Sequence, residues 1–578
     1  MPDSPPPVTS APIALVRRTT QPPGVPLPVP AQAMDAVRET LAGVPIAQRD
    51  LLIEHLHRLQ DRFGQLRTDH LGALAKLMSL SVAEVYEVAS FYHHFDLARP
   101  HSDGSFDAAP RLTVRVCTGL ACELAGARAL LGSVQASLAT PAVRVVAAFC
   151  IGRCDRAPAV LVHQHALAPA TLESVRAAVE HDDRSPEPIE PAAGADGVGA
   201  AGAYTVLADC LAGTRSAEQV MSTLQASGLR GLGGAGFAAG LKWRAVRAAP
   251  SPRLMAVNID EGEPGTFKDR HHLECHAKRF LEGLLIAAWA TEIDNVFIYL
   301  RDEYHACRAW LERELAALRA APPMPELPMI ELRRGAGAYV CGEESAMFES
   351  IEGKRGLPRW RPPHAAERGL FGLPTLVHNF ETLYWIPEIL QRGAEEFAAA
   401  GRHGGKGQRS YSVSGRVRQP GLKIAPVGIT LNELLAEHCG GLVEGHRLYA
   451  WLPGGASGGI LPARLADVPL DFGTLAAHGA DIGTAAVVVL SESDTHRDRA
   501  VDAARNLMAF FAAESCGQCT PCRSGTTRMH ELIRTETWDR ALLAELSLVM
   551  REASICGLGR AAPKAVDCVL RYFSHELR

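Results

Sequence analysis

The chain has 578 residues, 47% of them hydrophobic and 21% charged, which excludes a mainly disordered or fibrous protein and leaves room for several domains. Lys plus Arg number 59 against 64 Asp plus Glu, a formal charge of −5, so no electrostatic feature points to nucleic acid or an anionic membrane as partner. No apolar run nears the ~18 residues that would cross a bilayer, and the composition describes a soluble, intracellular, multi-domain protein.

Residues 1–33 read as a Pro-rich tail, with ten prolines between Met1 and Pro30 and no apolar signal segment. Arg17-Arg18 is followed by no hydrophobic stretch, so the expected location is cytoplasmic. Helical periodicity follows from 34, carried by Leu52, Ile53, Leu56, Leu59 and Phe63, and Ser81-x-x-Glu84 is a capping-box signature. A small α/β unit comes next: strands at Leu112–Val116, Val143–Ala147 and Val160–Val162, with a helix around Ala125–Leu138. This first region closes at 182, and residues 183–203 form a linker rich in Pro, Gly, Ala and acid. Residues 204–400 mix long helices (Leu273–Glu292, Glu303–Ala320) with strands at Leu254–Val257 and Val296–Tyr299. Residues 401–496 are mostly β, ending in a strand at Ala485–Leu490, and 497–578 are helical.

Eight of the fourteen cysteines form two quartets. Cys516-x2-Cys519-x2-Cys522 with Cys556 after 33 intervening residues suits a [4Fe–4S] cluster, three close thiolates holding one corner and a distant fourth closing it. Thr520-Pro521 is expected as the N-cap and first position of the following helix. Cys117-x4-Cys122 with Cys150-x3-Cys154 suits a [2Fe–2S] rhomb, one pair per iron. Structural zinc is the alternative for both, and unconnected thiols for the second. Cys210, Cys275, Cys307, Cys341, Cys439 and Cys568 are expected as buried, inert thiols.

Gly231-Leu-Gly233-Gly234-Ala-Gly236 matches G-x-G-x-x-G, with Asp260 about 24 residues on. The context is wrong for a Rossmann turn, because a helix (Val220–Ala226) precedes the glycines and the strand follows them. The loop can still approach a phosphate closely, with Lys242 nearby, or be a mere flexible turn. Gly262-Glu263-Pro264-Gly265 and Gly335–Glu344 are similar Gly-dense loops whose acids could accept from ribose or ribityl hydroxyls. Gly454–Gly459 reads as a structural turn. His93-His94 and His271-His272 read as surface or core histidines rather than ligands.

Ser227–Trp243, Asn258–Arg270, Gly335–Glu344 and Glu514–Arg523 resemble the NADH-binding flavoprotein subunit of respiratory complex I. The segment holding the C-x4-C and C-x3-C pairs resembles that complex's thioredoxin-like [2Fe–2S] subunit. The two together cover nearly all of 34–578, a fusion found in the diaphorase subunits of NAD-reducing hydrogenases and of Mo- or W-dependent NAD formate dehydrogenases. RDLLIEHLH, GLRGLGGAGF, YSVSGRV, LPGGASGGILP and SICGLG are most similar to the formate dehydrogenase beta subunits. The resemblance implies a multi-domain α/β and α+β chain: a helical plus thioredoxin-like [2Fe–2S] domain, an FMN/NAD-binding α/β domain, a β-grasp domain and a helical [4Fe–4S] domain. It implies FMN contacts at Gly231, Gly233, Lys242, Asn258, Asp260, Glu261, Tyr339, Gly342, Glu343, Asn379 and Thr382, and nicotinamide-nucleotide contacts at Phe237, Glu263 and Glu344. Glu263 and Glu344 are the expected catalytic residues, by positioning, since hydride transfer needs no side-chain acid or base. The chain departs from the family at Leu232, Arg361, His364 and His378.

The implied activity is electron exchange between FMN, both clusters and NAD(H), with a catalytic alpha subunit carrying a Mo/W-pterin as partner, because no pterin-metal site is evident in this chain. A hydrogenase diaphorase and a zinc-binding assembly protein are the competing expectations.

Overall fold

The computed structural model describes residues 29–189 and 204–577. Most of the expected tail, and residues 190–203 of the expected linker, lie outside them; the first helix begins at Ala31, inside the expected tail and directly after Pro30. The helices Ala31–Thr40, Leu52–Phe63, Thr68–Met78 and Val82–Phe91 follow, with the short parallel strands β1 (Leu66–Arg67) and β2 (Leu97–Ala98). Leu52, Ile53, Leu56 and Leu59 are buried on one stripe, and Ser81 and Glu84 close a full capping box.

β3 (Leu112–Cys117), β4 (Val143–Ala148), β5 (Val160–Val162) and β6 (His165–Leu167) form one sheet in the order β4-β3-β5-β6, parallel at β3/β4 and antiparallel elsewhere. The helix expected around Ala125–Leu138 is Ala127–Leu138, and Gly126 (φ 89) separates it from a further short helix, Leu120–Leu124. Cys117 ends β3, Cys122 lies in the short helix, and Cys150 and Cys154 follow β4.

The central sheet is all parallel: β7 (Leu254–Ile259), β8 (Asn295–Leu300), β9 (Met329–Arg334) and β10 (Thr375–Asn379), in the order β10-β7-β8-β9. β7 and β8 are nearly continuous apolar runs, as strands covered on both faces must be. The chain runs from β7 outward to β9 and then returns to the other side of β7, so the crevice between the carboxyl ends of β7 and β10 is a topological switch point, where open parallel sheets bind ligands. The long helical segment after β7 is Lys268–Thr291, broken by a kink at His276 (φ −139, ψ 38); it starts five residues before the expected Leu273, because its first turn is charged and carries no apolar period.

β11 (Gln408–Gly415), β12 (Gly421–Pro426), β13 (Arg447–Leu452), β14 (Leu461–Pro462) and β15 (Ala486–Glu492) make a mixed sheet in the order β12-β11-β15-β13-β14, with helix Leu431–His438 against it: a β-grasp arrangement. The C-terminal region is helical (Ala500–Ala513, Thr520–Ile533, Arg540–Ala553, Gly557–Ala561, Lys564–Tyr572). One apolar cluster runs through the N-terminal helices, the central sheet, the β-grasp sheet and the C-terminal helices, so the modules pack as one body. No helix among the described residues is long and apolar enough to cross a membrane.

Gly283 sits where Lys268–Thr291 crosses Phe380–Tyr384, and a Cβ there would overlap the Leu383 carbonyl. In an open helix Gly→Ala stabilises by about 0.5–1 kcal/mol; here Gly283→Ala is expected to cost about 1–3 kcal/mol through overpacking. Thermal denaturation of the variant gives the sign directly.

Candidate functional site

The switch point is built around a buried ammonium. Lys268, with a side chain 1% exposed, donates to Asp269 (2.6 Å) and to Asn379 Oδ1 (3.0 Å), and lies 3.3 Å from Glu381. Asn379 closes β10, donates to Asp269 (2.6 Å), and caps the helix after it by accepting from Glu381 N. Across the crevice at the end of β7, Asn258 donates to the Gly342 carbonyl (2.8 Å) and accepts from Asp260 N. Burial sets the protonation of both acids that follow: it pushes the Asp260 carboxyl up to about 8 and Glu261 up to about 7.

Asp260 Oδ2 is buried with no hydrogen-bond partner, an uncommon and costly state. The expected flavin supplies hydroxyl donors of the kind this oxygen lacks, so the residues present fit it. The Gly231–Gly236 loop runs over the crevice: Leu232 N donates to Thr382 Oγ1 (3.0 Å), and a Cβ on Gly233 would press on Asn379. Lys242 donates to the Val377 carbonyl (3.0 Å) and lies 3.9 Å from Glu344.

The structure thus brings Gly231, Gly233, Lys242, Asn258, Asp260, Tyr339, Gly342, Asn379 and Thr382 around one crevice, but gives two expected carboxylates other work. Glu261 accepts from Asp269 N (2.9 Å), Arg270 N (3.1 Å) and Tyr304 OH (2.8 Å), anchoring the first turn of Lys268–Thr291. Glu343 caps Glu344–Ile351 through Ser345 N and Ala346 N.

On the expected nucleotide side, Phe237 is 55% exposed, large for an apolar ring. Arg361 bridges Glu343 and Glu344, 3.0 Å from the latter. Glu263 is buried, accepts from Tyr339 OH and takes Ser457 N (2.6 Å). The Gly454–Gly459 segment, expected as a plain turn, therefore reaches the site, and a Cβ on Gly455 would collide with Glu263.

The departures from the family pattern are also located. Leu232 is buried in the apolar core, and His364 caps the short helix Ala365–Arg368. His378 accepts from Trp243 Nε1 (2.7 Å), and burial drives its pKa well below the ordinary value, so it is a neutral acceptor.

The cysteines gather as their spacing requires. Cys150 and Cys154 Sγ lie 3.3 Å apart, and the four N-terminal thiols are close enough to perturb one another. In the C-terminal quartet Cys519 and Cys556 are themselves the N-caps of the helices Thr520–Ile533 and Gly557–Ala561. Thr520 is therefore the first helical residue rather than the cap, which places free backbone N–H groups and the positive helix end at the thiols.

His57, His94 and Asp302 do converge within 4.8 Å, but Asp302 also accepts from Arg334, and that guanidinium opposes a cation. His93 is partly exposed against Glu514, and His272 is buried on Ser410, as expected of ordinary histidines. Of the six scattered cysteines five are buried and Cys275 is partly exposed.

Sequence reading missed the residues that join the modules. Arg270 donates to the Gly152 carbonyl (2.8 Å) and Asp155 (2.8 Å), and Arg301 to the carbonyls of Cys150 (2.7 Å) and Glu261. Phe149, beside Cys150, packs on Phe510 (5.5 Å between centroids), which packs on Tyr339 (4.9 Å). A cavity of about 350 Å³ lies among Asp260, Gly262, Tyr339, Cys150, Arg301 and Phe510, between the crevice and the N-terminal quartet. Arg301 directly follows a parallel strand, the position where site residues concentrate, and that signal was readable.

Three family models match the chain: the Nuo51 FMN-binding domain over residues 224–388, the NADH-ubiquinone oxidoreductase-F iron-sulfur binding region over 502–578, and the thioredoxin-like [2Fe-2S] ferredoxin over 37–181. The second NADH-quinone oxidoreductase F protein of Rhizobium meliloti is 38% identical over 391 residues, 65% of this chain and 92% of that protein. Flavoprotein 1 of the mitochondrial NADH dehydrogenase of Dictyostelium discoideum is 38% identical over 62% of this chain and 78% of its own length. Among solved structures, NAD+-reducing [NiFe]-hydrogenase in the H2-reduced state superposes with a TM-score of 0.78 at 31% identity, covering 92% of each chain.

Asp260 yields a pH prediction for flavin-depleted protein. Its folded pKa, about 8, is raised above the ordinary 3.8, so the unfolded chain ionises first and stability falls as pH rises through that window. Asp260→Asn is expected to flatten this fall, leaving stability unchanged near pH 4 and higher near pH 8, while weakening FMN retention. Denaturant titrations at the two pH values, with a flavin-binding titration, check both parts.

Proposed function

The chain belongs to the NADH-quinone oxidoreductase F family, here joined to a thioredoxin-like [2Fe–2S] module, and on that premise we propose that it is the diaphorase subunit of an NAD-linked formate dehydrogenase. It is an NAD-dependent flavin/iron–sulfur oxidoreductase subunit, with an FMN-binding domain, [2Fe–2S] and [4Fe–4S] regions, and NADH as substrate. The proposed electron source is a cytoplasmic catalytic alpha subunit carrying a Mo/W-pterin. The observation that carries the electron-transfer reading is the single packed body in which the switch-point crevice meets both cysteine quartets.

When bound, FMN exchanges a hydride with the nicotinamide and single electrons with iron–sulfur clusters, a conversion that no side chain here supplies. The protein's own part is positioning and exclusion of water. In this reading Asn258, Asp260, Tyr339 and Thr382 orient the flavin, with the Gly231–Gly236 backbone and Lys242 at its phosphate end. Glu263, held by Tyr339 and Ser457, and Glu344, held by Arg361 and Lys242, line the nicotinamide side, and Phe237 offers its exposed ring to the nucleotide. Cys117, Cys122, Cys150 and Cys154 would hold the [2Fe–2S] cluster, and Cys516, Cys519, Cys522 and Cys556 the [4Fe–4S] cluster.

A second reading has a specific observation behind it: the likeness to NAD+-reducing [NiFe]-hydrogenase extends over 92% of the chain. The formate reading rests instead on local wording such as LPGGASGGILP and SICGLG. The partner decides between them. Anaerobic purification from the native cell is expected to bring down a Mo- or W-containing subunit and formate-dependent NAD+ reduction. Nickel with hydrogen-dependent reduction would establish the second reading.

The isolated chain is expected to hold one FMN and about six iron atoms, and to bleach with NADH. Cys522→Ser is expected to lower iron to about two per chain and abolish the [4Fe–4S] signal while FMN remains and still bleaches. Iron analysis and electron paramagnetic resonance (EPR) of the NADH-reduced variant check this.

A further inference from the structure

Arg301 follows β8 and is buried, its side chain 5% exposed, at the point where the N-terminal cysteine loop meets the crevice. Nη2 donates to the Cys150 carbonyl (2.7 Å), Nη1 to the Glu261 carbonyl, and Nε to Glu303 Oε2 (3.1 Å), while the guanidinium lies over the Tyr304 ring at 5.0 Å. Tyr304 in turn fills the space beside Gly152, where any Cβ would strike its ring, and donates to Glu261. One planar cation thus touches the backbone of a cysteine in the N-terminal quartet and the backbone next to Asp260. Lysine, a point charge on a flexible stem, cannot hold two divergent carbonyls in this way.

We propose that Arg301 is a positioning residue that clamps the Cys150 loop to the flavin side of the molecule and raises the reduction potential of the [2Fe–2S] cluster. The proposal rests on Cys150 being a ligand of that cluster. Reduction adds one negative charge to the cluster, and a buried guanidinium bonded to a ligand's carbonyl stabilises that charge in a medium of low dielectric. Glu303, 24% exposed, is the counter-charge and acts in the opposite sense.

The test is a mediated dithionite titration of the holo protein followed by EPR of both clusters. Arg301→Gln is expected to shift the [2Fe–2S] midpoint to more negative potential and leave the [4Fe–4S] midpoint in place. Glu303→Gln is expected to shift the [2Fe–2S] midpoint the other way, which a purely structural role would not do. Arg301→Lys keeps the charge but not the double bridge, so its midpoint is expected near that of the wild type and its [2Fe–2S] reduction by NADH slower in rapid mixing. If the Gln variant fails to assemble its cluster, the Lys and Glu303 variants carry the test. Unmoved midpoints in the charge variants, with an intact [2Fe–2S] signal, overturn the proposal. Persistence of that signal in Cys150→Ser would instead overturn the ligand assignment.

Discussion

Lys268 is the charge on which the crevice depends. An ammonium so nearly excluded from water is tolerable only when paired and hydrogen-bonded, and Asp269, Glu381 and Asn379 do both. These partners come from the start of the long helix and from the turn after β10, so satisfying one cation fixes the two sides of the switch point against each other. Glu381 carries the constraint onward by accepting from Ser410 N (2.7 Å) on β11 and from Trp385 Nε1 (3.1 Å). The open edge of the parallel sheet, the helix N-terminus and the β-grasp sheet are held by one connected polar group.

Features that depend on local spacing were legible in the sequence. The two cysteine quartets, the capping box at Ser81, the absence of a Rossmann turn before Gly231 and the strands at 254 and 296 all follow from residues a few positions apart. Contacts between distant segments were not. Ser457 reaches Glu263 across 194 positions and Arg301 reaches Cys150 across 151; the place of Arg301 after a parallel strand was readable, but neither partner was. The carboxylates of Glu261 and Glu343 belong with these distant contacts: an acid in a Gly-dense loop looks free, and the structure shows a neighbouring helix N-terminus taking it.

The positions where the chain departs from its family fit their surroundings. Leu232 adds apolar area to the core, and His378 makes a neutral hydrogen bond with Trp243. Arg361, exposed and set between two glutamates, keeps a cation on the expected nucleotide side. In the proposed function a dinucleotide bearing phosphates would meet two acids here, and a cation between them would offset the repulsion.

The contact between the N-terminal cysteine loop and the rest of the molecule carries a further consequence. Arg270 and Arg301 are at most 5% exposed in the assembled chain, yet their partners at Gly152, Asp155 and Cys150 belong to a different module. If the modules separated, those guanidiniums would lose their backbone acceptors and the cysteine loop would meet water. Carrying both modules on one polypeptide makes their docking intramolecular, governed by effective concentration rather than by the relative abundance of two chains. A chain built this way holds its two modules in a fixed one-to-one ratio however dilute the protein becomes.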